Sequence, residues 1–355
     1  MDFFRNLTDL TPIYEQPSNK EHRHPQKVYK IDGRLAYFKY HDRVRTPPYF
    51  YYSELFVSRY GKLLGVPVAD VELARYGNEP GILSYDVRTN PSQKMLHLRS
   101  YADIHGSVRQ ECLGAFAAID EVAEKTAYHT RTKMTMETSF IELMLFASLI
   151  SHSDLHINNF AYFTNGRTAG FLPLFDLEQR KVFEWIGLPN LAAHMYENKN
   201  LDDIVYGVTT RGGAIYSKMI KEVFSQKPHL ATLTASSMLQ KLESDSVNNI
   251  LEAPEFEGLP QEYKLALIHL SANNAIRLID SVCYHRDIIK PSLPPFTLDW
   301  KRNELGTQMQ YCSMMAGDMI PAENTRSFLA NARSRTPSVD GFAAPGLLNI
   351  DPNKR

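Results

Sequence analysis

"SHSDLHINNFAYFTNGRTAGFLPLFD", residues 151–176, carries Asp154 five residues ahead of Asn159 and closes on a second aspartate, Asp176. "NNFAYF" and "AGFLPLFD" read as two short strands joined through the turn residues "TNG". A carboxylate that accepts a proton must stand close to it, while a metal ligand must face the same cavity from a slightly different point. Asp154 and Asn159 meet both demands from one irregular loop, and Asp176, at the end of the second strand, supplies another acidic ligand. In a phosphoryl-transfer site these residues have concrete roles. Asp154 orients and deprotonates the acceptor hydroxyl, and Asn159 and Asp176 hold Mg²⁺ against nucleotide phosphates. His152 and His156 are four residues apart, a zinc-like spacing on a helix, but position 153 is Ser where a zinc protease needs Glu, and the surroundings read as loop. His156 is therefore read as a supporting member of the nucleotide-binding loop.

Upstream, "KVYKI", the turn pair Asp32 and Gly33, and "RLAYFKY" read as a β-hairpin. "YYSELFVSRYGKLLG" follows with apolar residues at helical spacing and Gly65 at its end. "VPVADVELARY" and "EPGILSYDV" return to strand character. Lys39 on the hairpin's second strand offers a fixed cation for phosphates, and Glu54, 15 residues later on the helix, offers the carboxylate that would steady it. "GKLLG" lacks the Lys and Ser or Thr of a P-loop and marks a helix end. Residues 1–27 read as polar and irregular. Beyond a variable stretch near 90–109, "QECLGAFAAIDEVAEK" and "METSFIELMLFASLI" read as helices, and from 191 onward the signals are mainly helical. Segments 288–300 and 319–355 are rich in Pro, Gly, Ser and Asn and read as irregular.

The chain has 355 residues, 43% of them hydrophobic, enough for substantial cores. Lys plus Arg number 39 against 40 Asp plus Glu, so no bulk charge draws it to nucleic acid or to an anionic membrane. The three cysteines are widely spaced, against a disulfide scaffold or thiolate metal cluster. No signal peptide or long apolar run is visible, so the expectation is a cytoplasmic protein, or a secreted effector acting in a host cytosol if a specialised export signal operates.

These residues, in this order, resemble the HipA-type Ser/Thr kinases, toxin and effector relatives of protein kinases. "HPQKVYKIDGRLAYFKY" is similar to their segment with a Pro and Lys pair before the lysine-bearing strand, "YYSELFVSRYGKLLGVPVADVEL" to their helix and next strand, and "SDLHINNFAYF" with "LPLFD" to their catalytic and metal loops. The resemblance implies an α+β, two-lobed protein-kinase-like fold: a strand-rich N-lobe over 1–86, a helical C-lobe over 87–318, and a tail over 319–355. It implies ATP and Mg²⁺ as cofactors, Asp154 as base, Asn159 and Asp176 as metal ligands, and Lys39 and Lys27 on the ATP phosphates. Adenine is expected on the backbone of Ser84, Tyr85 and Asp86.

A protein hydroxyl would be the acceptor, and Ser18 a candidate for autophosphorylation. The chain starts close to the small lobe, leaving little room for the extra N-terminal module of longer members, which weakens the expectation of an antitoxin partner. The 18–27 loop has no Gly where protein kinases cover phosphates with a glycine-rich loop, and "DLE" replaces Asp-Phe-Gly. A small-molecule kinase of the aminoglycoside or choline type shares the His, Asp and Asn loop pattern, and an ATP-binding pseudokinase is the non-catalytic alternative.

Overall fold

The computed structural model describes residues 3–16, 26–40, 49–88, 94–98, 108–150, 160–175, 221–243, 245–289 and 295–318. Strand β3 (Gln26–Ile31) and strand β4 (Arg34–Tyr40) form the expected hairpin. Its tight turn requires positive φ at both central residues, and Asp32 and Gly33 adopt 50° and 81°. Helix α1 (Phe50–Leu64) ends at a left-handed Gly65, where the amides of Gly65 and Val66 fold back onto the carbonyls of Lys62 and Gly61. Strands β5 (Val71–Tyr76) and β6 (Glu79–Tyr85) pair antiparallel, and β6 then pairs with β4.

The opening segment is not irregular. Its strand β1 (Arg5–Asn6) pairs parallel with β5, and its strand β2 (Tyr14–Gln16) pairs antiparallel with β3, giving the described sheet the order β1-β5-β6-β4-β3-β2. Residues 3–16 are thus a strap from one sheet edge to the other. Two- and three-residue strands are too short to show a period, which is why the polar sequence hid them. Leu7 on the strap is fully buried and closes a small core with Tyr29, Ile31, Ala36, Phe38, Ala74 and Leu83 on the sheet's outer face.

The inner face packs on α1. Val71, Leu73 and Ile82 share one core with α1 and the helical lobe. That lobe's described elements include α2 (Val108–Glu124), α3 (His129–Leu149), a small sheet of β7 (Leu96–His97), β8 (Ala161–Thr164) and β9 (Ala169–Phe171), then α4 (Pro228–Lys241), α5 (Ser246–Leu251), α6 (Gln261–Ile289) and α7 (Pro295–Asp318). The fold is two-lobed and α+β, as expected. Helix α3 starts seven residues ahead of "METSFIELMLFASLI", because "HTRTKMT" buries only Thr132 among its residues and shows no apolar period. Helix α7 claims 295–300, part of the segment read as irregular, its Pro falling at the first helical position, where it is tolerated.

Helix α1 is fixed to the helical lobe along its length. Tyr49 packs on Tyr263 with ring centroids 5.5 Å apart and Tyr52 on Phe256 at 6.0 Å. Arg59 Nε donates to Glu255 Oε1 at 2.8 Å, and Lys241 Nζ donates to the Leu64 carbonyl at 2.7 Å. Among the described residues no helix is long and apolar enough to cross a membrane.

Candidate active site

Lys39 lies on β4 between Gln26 of β3 and Ile82 of β6, so its side chain leaves the inner face of the sheet. Glu54 sits on the turn of α1 facing that sheet. Lys39 Nζ donates to Glu54 Oε1 at 3.0 Å and to Oε2 at 3.3 Å, with side-chain exposures of 7% and 1%. Burying two charges costs several kcal/mol each unless they meet in good geometry, and a two-oxygen approach meets that condition. The pair expected from a 15-residue spacing is thereby formed, and it holds a cation at a fixed place on the inner face.

Gln26, the cross-strand neighbour of Lys39, is also where β3 begins, and it pairs with Gln16 at the end of β2. Residues 17–25 therefore connect two paired strands whose open end lies beside Lys39. Ser18 lies in that connection, outside the described residues.

Lys27 is placed elsewhere. It pairs across the hairpin with Phe38, which puts it on the outer face, opposite to Lys39. There its ammonium donates to Glu15 at 3.0 Å and stands 3.7 Å over the Tyr76 ring. The structure does not bring Lys27 to the face that carries Lys39, because successive strand residues point to opposite faces.

The linker is equally specific. Ser84 and Asp86 lie on the inner face with Tyr37 and Lys39, while Tyr85 faces outward, its hydroxyl donating to Glu72 at 2.6 Å. The Tyr85 amide donates to the Asp70 carbonyl and the Asp86 amide to the Leu35 carbonyl, both at 2.9 Å. The Ser84–Asp86 backbone is thus largely committed within the sheet. The Asp86 carboxylate accepts from Arg88 Nε at 3.0 Å and from the Arg88 amide at 2.9 Å, with the Tyr37 hydroxyl at 3.4 Å. Burial pushes the Asp86 carboxyl up, but Arg88 and Tyr37 together outweigh it and hold its pKa below the ordinary value. Sequence reading missed this clasp; an Asp-x-Arg triplet is too common to stand out.

Asp154, Asn159, Asp176 and His156 lie outside the described residues, but the chain on either side of them is fixed. Helix α3 ends at Leu149, whose carbonyl accepts from Asn274 Nδ2 of α6 at 3.1 Å. Phe160, next to Asn159, is buried, lies 5.1 Å from the Phe140 ring, and gives its carbonyl to the Leu98 amide at 3.1 Å. Leu174, two residues before Asp176, forms a parallel bridge with Val68; its amide donates to Pro67 and its carbonyl accepts from Ala69. Among the described residues no group of three or more His, Cys, Asp or Glu could hold a metal ion. Asn274 was invisible in sequence because "LSANNAIRL" reads as an ordinary packed helix.

A family model described as "HipA-like C-terminal domain" matches residues 17–246. The chain belongs to that family. No curated protein sequence matches it. Among solved structures, the Helicobacter pylori proinflammatory kinase CtkA is similar with a TM-score of 0.59 at 11% identity, over 81% of this chain and 99% of that one. HipA of Shewanella oneidensis MR-1, solved with HipB and operator DNA, reaches a TM-score of only 0.33 at 13% identity, over 88% and 69% of the two chains. A thermostable mutant of aminoglycoside phosphotransferase APH(4)-Ia reaches 0.24 at 11%, over 85% and 95%. The last two are too dissimilar in three dimensions to bear on the fold. Family membership and the CtkA-like fold are those of a kinase-type phosphotransferase.

Proposed function

We propose that this HipA-like protein is an ATP- and Mg²⁺-dependent kinase that transfers the γ-phosphoryl group to a serine or threonine hydroxyl of a protein. The observation that carries the reading is the buried Lys39–Glu54 pair at the open end of the β2–β3 connection. Lys39 would bind nucleotide phosphates as a preoriented cation, with Glu54 fixing its direction. The adenine edge would meet the linker at Val87, the first residue after the committed amides of Tyr85 and Asp86. Asp154 would accept the proton of the acceptor hydroxyl. The amide oxygen of Asn159 and the carboxylate of Asp176 are donors that suit a hard divalent cation, and they would hold Mg²⁺. Bound there, the ion neutralises charge on the phosphates. The chain's own residues then act by alignment and by moving one proton. The acceptor is a cytosolic protein, in the producing cell or, after export, in a host.

Purified protein with Mg²⁺ and γ-labelled ATP, offered both a lysate and a small-molecule panel, tests this directly. Label should appear on protein, on the enzyme itself or on a lysate band. Asp154→Ala should abolish transfer while leaving ATP binding measurable, and Asp176→Ala should remove the Mg²⁺ dependence of ATP binding. Label on small molecules alone would replace the acceptor assignment, and full activity of Asp154→Ala would sink the assigned base.

A further inference from the structure

A cavity of about 280 Å³ lies where three separate segments, the start of the strap, α1 and the turn after α5, meet. Phe3 and Phe4 from the start of the strap form one wall, Tyr52 of α1 the floor, and the turn carrying Glu255, Glu257 and Gly258 the other wall. These walls are held in place. Phe4 stands edge-on to Tyr51 at 5.9 Å, Tyr52 packs on Phe256, and Arg59 grips Glu255 from α1. Gly258 is part of the construction, since a Cβ there would come within 2.3 Å of the Tyr52 hydroxyl oxygen.

The lining chemistry points one way. It offers three aromatic rings and two carboxylates and, among the described residues, no basic side chain. Glu255 gives one oxygen to Arg59. Glu257 is exposed, and among the described residues neither its carboxylate nor the Tyr52 hydroxyl has a side-chain partner. The Tyr52 side chain is otherwise buried, at 3% exposure, and its hydroxyl is not among the buried polar atoms without a partner, so it opens to solvent at the cavity. A solvent-open hydroxyl on a fixed side chain can exchange water for a ligand that hydrogen-bonds to it. Ring faces attract cations, and a carboxylate beside them selects a cation with directed N–H donors. The volume is just under the range of about 300–1,000 Å³ usual for drug-sized ligands, which fits one side chain rather than a nucleotide.

We infer that this cavity binds a guanidinium group, the arginine side chain of a partner polypeptide. The planar cation stacks on Phe3, Phe4 or Tyr52 and directs its donors to Glu257 and the Tyr52 hydroxyl. Arginine suits this better than lysine because its flat, weakly hydrated head combines stacking with a fork of donors. Tyr52 is two residues from Glu54, so the occupant joins the strap, the helix that steadies Lys39, and the helical lobe.

The test needs no phosphate transfer and stands apart from the kinase reading. Protein labelled with [¹⁵N]glycine is titrated with Nα-acetyl-arginine N-methylamide, and the Gly258 amide resonance, assigned by its loss in Gly258→Ala, is followed. A saturable shift is expected, with no comparable shift from the norleucine analogue. Glu257→Gln, an exposed substitution, should weaken binding about threefold and make it less salt-dependent while other glycine resonances stay put. No shift with the arginine probe, an equal response to norleucine, or unchanged affinity in Glu257→Gln would each overturn the assignment.

Discussion

Lys39 and Glu54 show what one pair can be asked to do. Removing either partner leaves the other charge buried, a change that ordinarily costs about 3–5 kcal/mol. Lys39→Met and Glu54→Ala should each lower the urea midpoint accordingly, and the double variant Lys39→Met/Glu54→Leu should recover much of the stability but none of the transfer activity. The pair was legible in sequence because a strand lysine and a helix glutamate came in the right order. Gly81 was not. It sits in the middle of β6, where a Cβ would fall 2.2 Å from the Lys39 carbonyl oxygen and 2.9 Å from the Tyr40 Cα, both backbone atoms. A strand glycine often marks such a close approach, but which backbone approaches is a tertiary fact. Gly81→Ala should cost about 3 kcal/mol in urea unfolding, because the strand that must yield carries Lys39.

The long apolar helices and the hairpin strands declared themselves by period, whereas β1, β2 and the first turns of α3 did not. What fixes the helices is also non-local. The C-terminal carbonyls of a helix lack intrahelical partners, and three of these ends are closed by distant side chains. Lys241 caps α1 at Leu64, Lys301 caps α4 at Leu239 and Leu242, and Asn274 caps α3 at Leu149. The last bears most on the proposed transfer, since the segment bearing Asp154 starts two residues after Leu149. Asn274→Leu should cost about 1–2 kcal/mol of stability. It should also lower kcat for phosphate transfer while leaving the KM for ATP unchanged. An equal fall in ATP affinity would show that the hydrogen bond serves only packing.

At the scale of the whole molecule, one core joins α1 to the helical lobe, and buried beside it is a titratable group with no hydrogen-bond partner among the described residues. His269 on α6 is fully buried, neither ring nitrogen is hydrogen-bonded among the described residues, and burial pushes its pKa from 6.5 down to about 4. The folded state keeps it neutral while the unfolded chain takes up a proton below 6.5. Stability is therefore intact above that pH, falls as pH drops toward 4, and stops falling from this cause below it. The loss amounts to on the order of 3 kcal/mol. Urea unfolding at stepped pH should show the slope, and His269→Leu should flatten it between pH 6.5 and 4. Asp70 and Asp86 act lower in the range. Lys62 and Arg34 lower the Asp70 pKa, and Arg88 lowers that of Asp86 against its burial, so their contribution is lost as pH falls through the folded-state values. At this scale the lobes were legible in the sequence, since a strand-rich half gives way to a helical one, but the strap was not. The strap also has a bearing on solubility. Its two short strands occupy the outer flanks of β5 and β3, so a chain trimmed before residue 17 would present two longer strands with unpaired backbone groups on opposite sides of the same sheet. Copies could then add to both sides, and such a truncated protein should grow into linear polymers rather than stop at dimers.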